Sequence, residues 1–195
     1  MGASAVVTDV FEHFSKILAK HDVKPVGVLH VGGHHGEEHK AYVAAGFEKI
    51  LWMEPIPELA AKLRDRGLEV IEAAAGTVPG EATFYFTERS YWSSLLKPTT
   101  RQHEEISVSV ARIDSLNHGC NVLVVDAQGS EPDVIASADL DSFDLAVIET
   151  GTQQEYEGQV LFEPVDEMMI AAGFELVGVY WHQHNPVICD RVYIR

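Results

Sequence analysis

A glycine-rich stretch near the start of the chain has the residue types and spacing of a ligand-binding turn. Residues 26–31 are an apolar run rich in β-branched side chains, and Gly32, Gly33 and Gly36 then lead into helix-forming residues. Such a turn brings the backbone close to a ligand, and free N–H groups at a helix start favour a negative charge. Glu54 ends the next apolar run, where a carboxylate can accept hydrogen bonds from the two hydroxyls of a ribose. Together these features predict a pocket for a nucleoside-containing cofactor.

A second acidic residue ends a strand further along the chain. Residues 121–125 are the clearest buried strand, and Asp126 follows them directly. A carboxylate at the end of a strand can take the proton of a substrate hydroxyl, so Asp126 is the first candidate for a general base. Glu149 and His35 are the next candidates, because both are expected near the same rim. Alternatively, Asp126 caps the helix that follows it.

The histidines raise the question of a metal site. His35 and His39 lie four residues apart within a cluster at residues 30–39 and could share a helix face. No carboxylate or cysteine spacing elsewhere completes a recognised ligand set, so we predict no metal. His182 and His184 alternate as in a strand and are expected to line the mouth of the pocket.

Alternating strands and helices must position these residues. Strands separated by helices and glycines are typical of parallel sheets joined by right-handed crossovers. The connection between the last two strands is short, so those two must be antiparallel. The sequence predicts an α/β fold with a doubly wound, mostly parallel seven-stranded sheet and an antiparallel last strand, formed by residues 26–31, 49–54, 68–74, 121–126, 143–149, 174–180 and 187–194.

Two further segments complete a single predicted domain over residues 1–195. Apolar residues within 4–20 follow a helical spacing, which predicts a leading amphipathic helix over residues 1–22. Residues 82–113 have β-type composition around a polar loop that contains Tyr91 and Trp92. We expect this β-rich region to lie near the pocket, since loops usually carry substrate contacts.

Composition limits the classes of partner. The chain has 195 residues, of which 30 are acidic and 14 basic, for a net charge of −16. This surface repels phosphate backbones and anionic headgroups, so we expect a small-molecule substrate and no nucleic acid or membrane partner. No signal sequence or long apolar run is evident, which predicts a cytoplasmic protein. The sequence leaves homo-oligomerisation open.

Taken in order, these motifs resemble the FkbM family of class I S-adenosylmethionine-dependent methyltransferases, which have a Rossmann-like fold. The family's Asp-Val-Gly-Ala-Asn-x-Gly turn is matched by residues 30–36, and its Glu-Pro-x-Pro by residues 54–57. Its Asp-x-x-Gly-x-Glu is matched by residues 126–131, and its paired serines by residues 93–94. Each motif alone is common, but four of them in order are fairly specific.

The resemblance implies S-adenosylmethionine as the cofactor and O-methylation of a hydroxyl on a sugar or small metabolite. The turn would lie against the methionine part, Glu54 would hold the ribose, and residues 73–75 would edge the adenine. Asp126 would face the methyl group and the substrate. The cofactor-binding residues implied in this way are His30, Gly32, Gly33, His34, Gly36, Glu54, Pro55, Ala73, Ala74 and Asp126.

The chain departs from the family pattern at two positions of the turn. His30 stands where the family has aspartate, and His34 where it has asparagine. A carboxylate at position 30 would help to hold the ammonium group of the cofactor, whereas a neutral histidine can only accept a hydrogen bond and a protonated one repels. Losing such a charge-assisted hydrogen bond costs about 1–3 kcal/mol.

Two other functions remain compatible with the sequence. The altered turn could leave a nucleoside-binding module with little or no turnover. An NAD(P)-dependent oxidoreductase would also use Glu54 on a ribose, but the turn lacks the Gly-x-Gly-x-x-Gly pattern of that class.

Overall fold

Two β-sheets and five α-helices make up the described part of the chain. The structure is a computed structural model that describes residues 4–7 and 9–195, with only the backbone described for residues 4–7. The strands are β1 (Ser4–Val7), β2 (Gly27–Val31), β3 (Lys49–Met53), β4 (Glu69–Ile71), β5 (Ala74–Ala75), β6 (Gly80–Thr87), β7 (His103–Ala111), β8 (Val122–Val125), β9 (Leu145–Gly151), β10 (Glu175–Trp181) and β11 (Ile188–Ile194). The helices are α1 (Phe14–Lys20), α2 (His39–Ala45), α3 (Pro57–Asp65), α4 (Glu131–Ala136) and α5 (Phe162–Ala171).

The larger sheet has eight strands in the order β1-β10-β11-β9-β8-β2-β3-β4. Strand β11 is antiparallel to both of its neighbours, and every other pair in this sheet is parallel. Two clusters of buried apolar side chains cover the two faces of this sheet. The predicted doubly wound α/β fold with an antiparallel last strand is therefore confirmed, and β1 adds an eighth strand at the edge.

The predicted leading helix over residues 1–22 is wrong in its first part. Ser4–Val7 is a strand that pairs in parallel with β10, and α1 begins only at Phe14, after a short 3-10 turn at Val10–His13. Consecutive β-branched residues suit a strand, and the edge of β10 offers them backbone partners that a sequence pattern does not reveal. Residues 1–3 and 8 lie outside the described residues.

The smaller sheet has the order β5-β7-β6. Strands β6 and β7 form an antiparallel pair from Gly80↔Val110 to Thr87↔His103, which begins two residues before the segment 82–113 predicted to be β-rich and otherwise lies within it. The connection between them returns to the pair, because Ser94 and Tyr85 exchange backbone hydrogen bonds. This connection contacts the turns after β2 and β8, because Ser90 lies 2.9 Å from the ring of His34 and the hydroxyl of Ser94 donates to the carbonyl of Gln128.

The register of the larger sheet aligns one glycine and four acidic residues along one edge. The last residues of β2, β3 and β8 are paired partners, so Gly32, Glu54 and Asp126 lie side by side just beyond them. The row continues on β9 and β11, where Glu149 and Asp190 are partners. Five positions that are far apart in sequence therefore share one edge.

We expect alanine at position 32 to be far less tolerated than alanine at another left-handed glycine. Gly32 has a φ of 88°, and a Cβ there would lie 1.9 Å from the carbonyl oxygen of Asp126. Gly67 has a φ of 80° but no heavy atom within 4 Å of the corresponding position. Gly67→Ala should cost about 1–2 kcal/mol of unfolding free energy, the cost of a left-handed backbone for an L-residue, and Gly32→Ala about 1–3 kcal/mol more. Urea unfolding measures both, and equal losses would contradict the close approach.

Candidate active site

A cavity of about 250 Å³ lies over the carboxyl ends of β2, β3, β4 and β8, and we call it the first cavity. One wall is apolar and includes Met53, Ile56, Ala73, Ala74, Ala75 and Phe84. Three acidic residues, Glu38, Glu54 and Asp126, also line the cavity. An apolar slot with a few converging polar groups is the usual form of a small-molecule site.

Glu54 is the fixed acidic group of the first cavity. Its side chain is buried, and its two oxygens accept hydrogen bonds from the backbone N–H groups of His34 (2.7 Å) and Ile56 (2.8 Å). Burial raises the pKa of Glu54 to about 7. Each carboxylate oxygen has a further lone pair, so this group can also accept hydrogen bonds from neighbouring hydroxyls.

The glycines of the turn have different roles. Gly32 lines the first cavity, whereas Gly33 and Gly36 do not. A Cβ at Gly33 would lie 3.2 Å from Trp52 and 3.3 Å from Leu63, and one at Gly36 would lie 3.0 Å from Leu63, so a side chain at either position would crowd the core. The N–H groups of Gly32 and Gly33 both donate to the carbonyl of β3's last residue at 3.0 Å, so these amides hold the turn itself.

His30 is a neutral, packed side chain at the cavity wall. Its ring lies 4.8 Å from the ring of Trp52, and Nδ1 is 2.7 Å from the hydroxyl oxygen of Tyr42. Burial lowers the pKa of His30 to about 3. The carboxylate of Glu38 lies 3.9 Å from Nδ1 and lines the same cavity, and burial raises the pKa of that carboxyl to about 8. A carboxyl group thus stands beside the position where the family has aspartate.

His34 links the turn to the loop above it. Its Nδ1 lies 2.9 Å from Glu37 and its Nε2 lies 2.9 Å from the hydroxyl of Ser90. The hydrogen bond with Glu37 raises the pKa of His34. Tyr91, the next residue of the loop, lines the first cavity together with Pro55.

A larger cavity of about 750 Å³ adjoins the first, and we call it the second cavity. Both are lined by His30, Glu38, Tyr91 and Asp126, so the two meet at these residues. The remaining wall of the second cavity includes Trp92, Glu149, His182, His184 and Asp190.

Gln128 holds the two carboxylates at this junction. Its amide Nε2 donates to Asp126 (2.6 Å) and to Glu149 (2.9 Å), and its Oε1 accepts from the hydroxyl of Tyr156 (3.0 Å). Burial raises the pKa of Asp126 to about 6 and also raises that of Glu149. Helix α4 has Ser130 at its N-cap and no side-chain capping bond, so the geometry does not support the alternative that Asp126 caps this helix.

The structure brings together most of the residues that the sequence singled out. His35 is the exception among the catalytic candidates, because it is exposed and lines neither cavity. Sequence reasoning missed Glu38, Gln128 and Asp190. Asp190 did have a signal, since it is a charged residue inside an otherwise strand-like run at residues 187–194.

The fold is that of the S-adenosylmethionine-dependent methyltransferases. Similar structures include a magnesium protoporphyrin IX methyltransferase from Synechocystis with bound S-adenosylmethionine (9% identity, TM-score 0.55, 95% of this chain and 78% of that one). A 1,6-didemethyltoxoflavin-N1-methyltransferase from Burkholderia thailandensis with bound S-adenosylhomocysteine is another (13%, 0.52, 95% and 77%). A third is a putative methyltransferase, yhhF, from Escherichia coli (13%, 0.54, 96% and 86%).

The sequence narrows this class to one family. The methyltransferase FkbM domain profile matches residues 30–176, well over half of the chain, so the protein belongs to the FkbM methyltransferase family. No significant match is found among curated proteins. Within the described residues, none of the helices is long and apolar enough to cross a membrane.

We expect the buried His30 to make stability depend on pH. Because the folded-state pKa is about 3 against an ordinary 6.5, the folded protein resists protonation of this ring. The contribution of the neutral His30 ring to the unfolding free energy is complete above pH 6.5. It is lost as the pH falls towards 3, at up to about 1.4 kcal/mol per pH unit. The neighbouring groups Glu37, Glu38 and Tyr42 stay the same in a His30→Asn variant, which lacks the titrating ring.

Urea unfolding of both proteins between pH 7 and pH 4.5 tests this expectation. The unfolding free energy of the wild type should fall relative to that of His30→Asn as the pH decreases. A difference between the two proteins that does not change with pH would show that the ring is not buried as a neutral base.

Proposed function

We propose that the protein is an S-adenosylmethionine-dependent O-methyltransferase that acts on a hydroxyl of a sugar or small metabolite. The cofactor would occupy the first cavity and the acceptor the second. The observation that carries this proposal is the meeting of the two cavities at Asp126, with the fixed carboxylate of Glu54 inside the first. The match to a methyltransferase family favours this function over an oxidoreductase.

The residues of the first cavity fit the parts of the cofactor. Glu54 would accept hydrogen bonds from the ribose hydroxyls, and the apolar wall at residues 73–75 with Phe84 would cover the flat adenine. Gly32 allows the turn to pass close to the backbone of Asp126, which a side chain would prevent. When bound, the cofactor supplies an electrophilic methyl group on a sulfonium.

Glu38 would replace the missing acid of the turn. Its carboxyl group lines the cavity beside His30, which is neutral and cannot form an ion pair with an ammonium group. We therefore assign Glu38 as the partner of the amino group in the methionine part. An opposite charge in a partly buried setting favours the ionised carboxylate.

On the acceptor side, Asp126 would take the proton of the hydroxyl. Its pKa of about 6 suits a base that works near neutral pH, and Gln128 fixes its orientation from one oxygen. Methyl transfer also requires alignment and the exclusion of water. The loop with Tyr91, which lines both cavities, could provide this cover.

The lining of the second cavity bears on the acceptor's chemistry. Several carboxyl groups line it, which disfavours an anionic acceptor. Tyr91, which is 47% exposed, presents an aromatic ring that suits a sugar or another flat, weakly polar face. These features favour a neutral acceptor with hydroxyl groups.

Calorimetric titration can assign the two carboxylates to different parts of the cofactor. S-adenosylhomocysteine contains both the ribose and the amino group of the amino-acid part, whereas methylthioadenosine contains the ribose but lacks that amino group. Losing a hydrogen bond to a charged group costs about 1.5–3 kcal/mol, or roughly 10-fold to 150-fold in affinity. Glu54→Gln should weaken both ligands by this factor. Glu38→Gln should weaken S-adenosylhomocysteine alone, and Glu58→Gln, at an exposed glutamate on α3, should change neither.

Two results would contradict these assignments. If wild-type protein binds the reduced nicotinamide dinucleotide NAD(P)H but not S-adenosylhomocysteine, the proposed cofactor is wrong. If Glu38→Gln weakens both ligands equally, its carboxyl group does not serve the amino group.

Asp126→Asn tests the proposed base. Asparagine retains an acceptor for Gln128 but cannot take a proton, so methyl transfer should fall by about 100-fold to 10,000-fold. Transfer of a radiolabelled methyl group to a panel of neutral sugars and metabolites with hydroxyl groups measures the rate. Full activity of Asp126→Asn would show that Asp126 is not the base. If wild-type protein binds the cofactor but transfers no methyl group to any compound, the alternative of a nucleoside-binding module without turnover is favoured.

A further inference from the structure

Three potential metal ligands, Glu149, His182 and Asp190, meet in the second cavity. His182 Nε2 lies 2.9 Å from Asp190 Oδ2 and 3.8 Å from Glu149 Oε2. One donor atom from each residue lies within 4.8 Å of the other two. The side chains of Glu149 and Asp190 are 16% and 10% exposed and that of His182 is 32% exposed, so the two carboxylates are largely buried while the imidazole is reached by solvent.

The topology of the sheet brings these residues together. Glu149 on β9 and Asp190 on β11 are direct partners in an antiparallel pair, so their side chains share a face. His182 directly follows β10, whose last residue pairs with the neighbour of Asp190. Their sequence separations are irregular, which is why no ligand spacing is visible in the chain.

We propose that Glu149, His182 and Asp190 bind a divalent transition-metal cation in the acceptor cavity. Ligand atoms about 2.0–2.2 Å from an ion lie roughly 3–4.4 Å from each other, which the observed separations match after small side-chain shifts. One imidazole nitrogen with two carboxylates suits manganese, iron or zinc better than magnesium or calcium. These ligands share no residue with the histidine cluster at residues 30–39.

The charge of the cavity supports a cationic ligand. Besides the two carboxylates of the cluster, Asp9, Glu38 and Asp126 line the second cavity. Among the described residues that line it, Arg89 is the only arginine or lysine, and its guanidinium lies 4.9 Å from the centre of the Trp92 ring. A divalent ion would offset the repulsion among these carboxylates.

The position of the ion gives it a role in the proposed reaction. Three protein ligands leave open coordination positions for oxygen atoms of an acceptor. Glu149 and Asp126 are both held by Gln128, so a hydroxyl on the ion would lie near the proposed base. A bound cation would orient that hydroxyl and lower its pKa. This role rests on the proposed function, whereas binding of the ion does not.

Electron paramagnetic resonance of added Mn²⁺ tests the site in the full chain without cofactor. The signal of free Mn²⁺ should decrease to a stoichiometry of one ion per chain. His182→Ala and Asp190→Asn should each weaken binding at least 10-fold. His21→Ala removes a histidine that lines neither cavity and should leave binding unchanged.

A second measurement on wild-type protein avoids dependence on the folding of the variants. Substoichiometric Mn²⁺ should broaden the imidazole signals of His182 in the NMR spectrum and leave those of His118, which lies outside the cavity, unaffected. Absence of one-to-one binding by Mn²⁺ and Zn²⁺ at millimolar concentration would overturn the proposal, as would broadening that spares His182. Titration with S-adenosylhomocysteine tests the proposed function separately. The metal site and the methyltransferase function can therefore fail independently of each other.

Discussion

The register of the parallel strands is the constraint on which the rest of the molecule depends. Strands β2, β3 and β8 end at paired residues, and the backbone hydrogen bonds of the sheet fix these ends relative to each other. Gly32, Glu54 and Asp126 therefore occupy adjacent places along one edge, where ligands of open α/β sheets bind. A slip of one residue in any strand would turn its side chains to the other face. The apolar clusters on both faces prevent such a slip.

Burial of charge at this edge imposes a second constraint. Removing a carboxylate from water is costly unless it is hydrogen-bonded. Glu54 is stabilised by two backbone N–H groups, and Asp126 by the amide of Gln128, so neither depends on a salt bridge. These neutral donors leave further lone pairs of both carboxylates available to a ligand in the cavities.

Much of this edge could be predicted from the sequence, because the signals are local. The apolar runs before Gly32, Glu54 and Asp126 identify strand ends directly, and parallel strands place their ends together. Glu38 was missed because its proximity to His30 depends on the tight turn between them. Gln128 was missed because it reaches two carboxylates from a left-handed backbone position with a φ of 49°.

Long-range pairing explains the remaining errors. Residues 4–7 have a spacing that also fits a helix, and only their pairing with β10 makes them a strand. Asp190 faces Glu149 because β11 inserts between β9 and β10 in the sheet. That order cannot be read from hydrophobic periodicity, so a site built from three strands of mixed direction escaped the sequence analysis.

The most direct test of this account is a crystal structure of the protein with S-adenosylhomocysteine. We expect both ribose hydroxyls within about 3 Å of the carboxylate of Glu54, the adenine against residues 73–75, and the sulfur directed towards Asp126. A ligand bound elsewhere, or one whose ribose makes no contact with Glu54, would contradict the central claim that the aligned strand ends form the methyltransferase site.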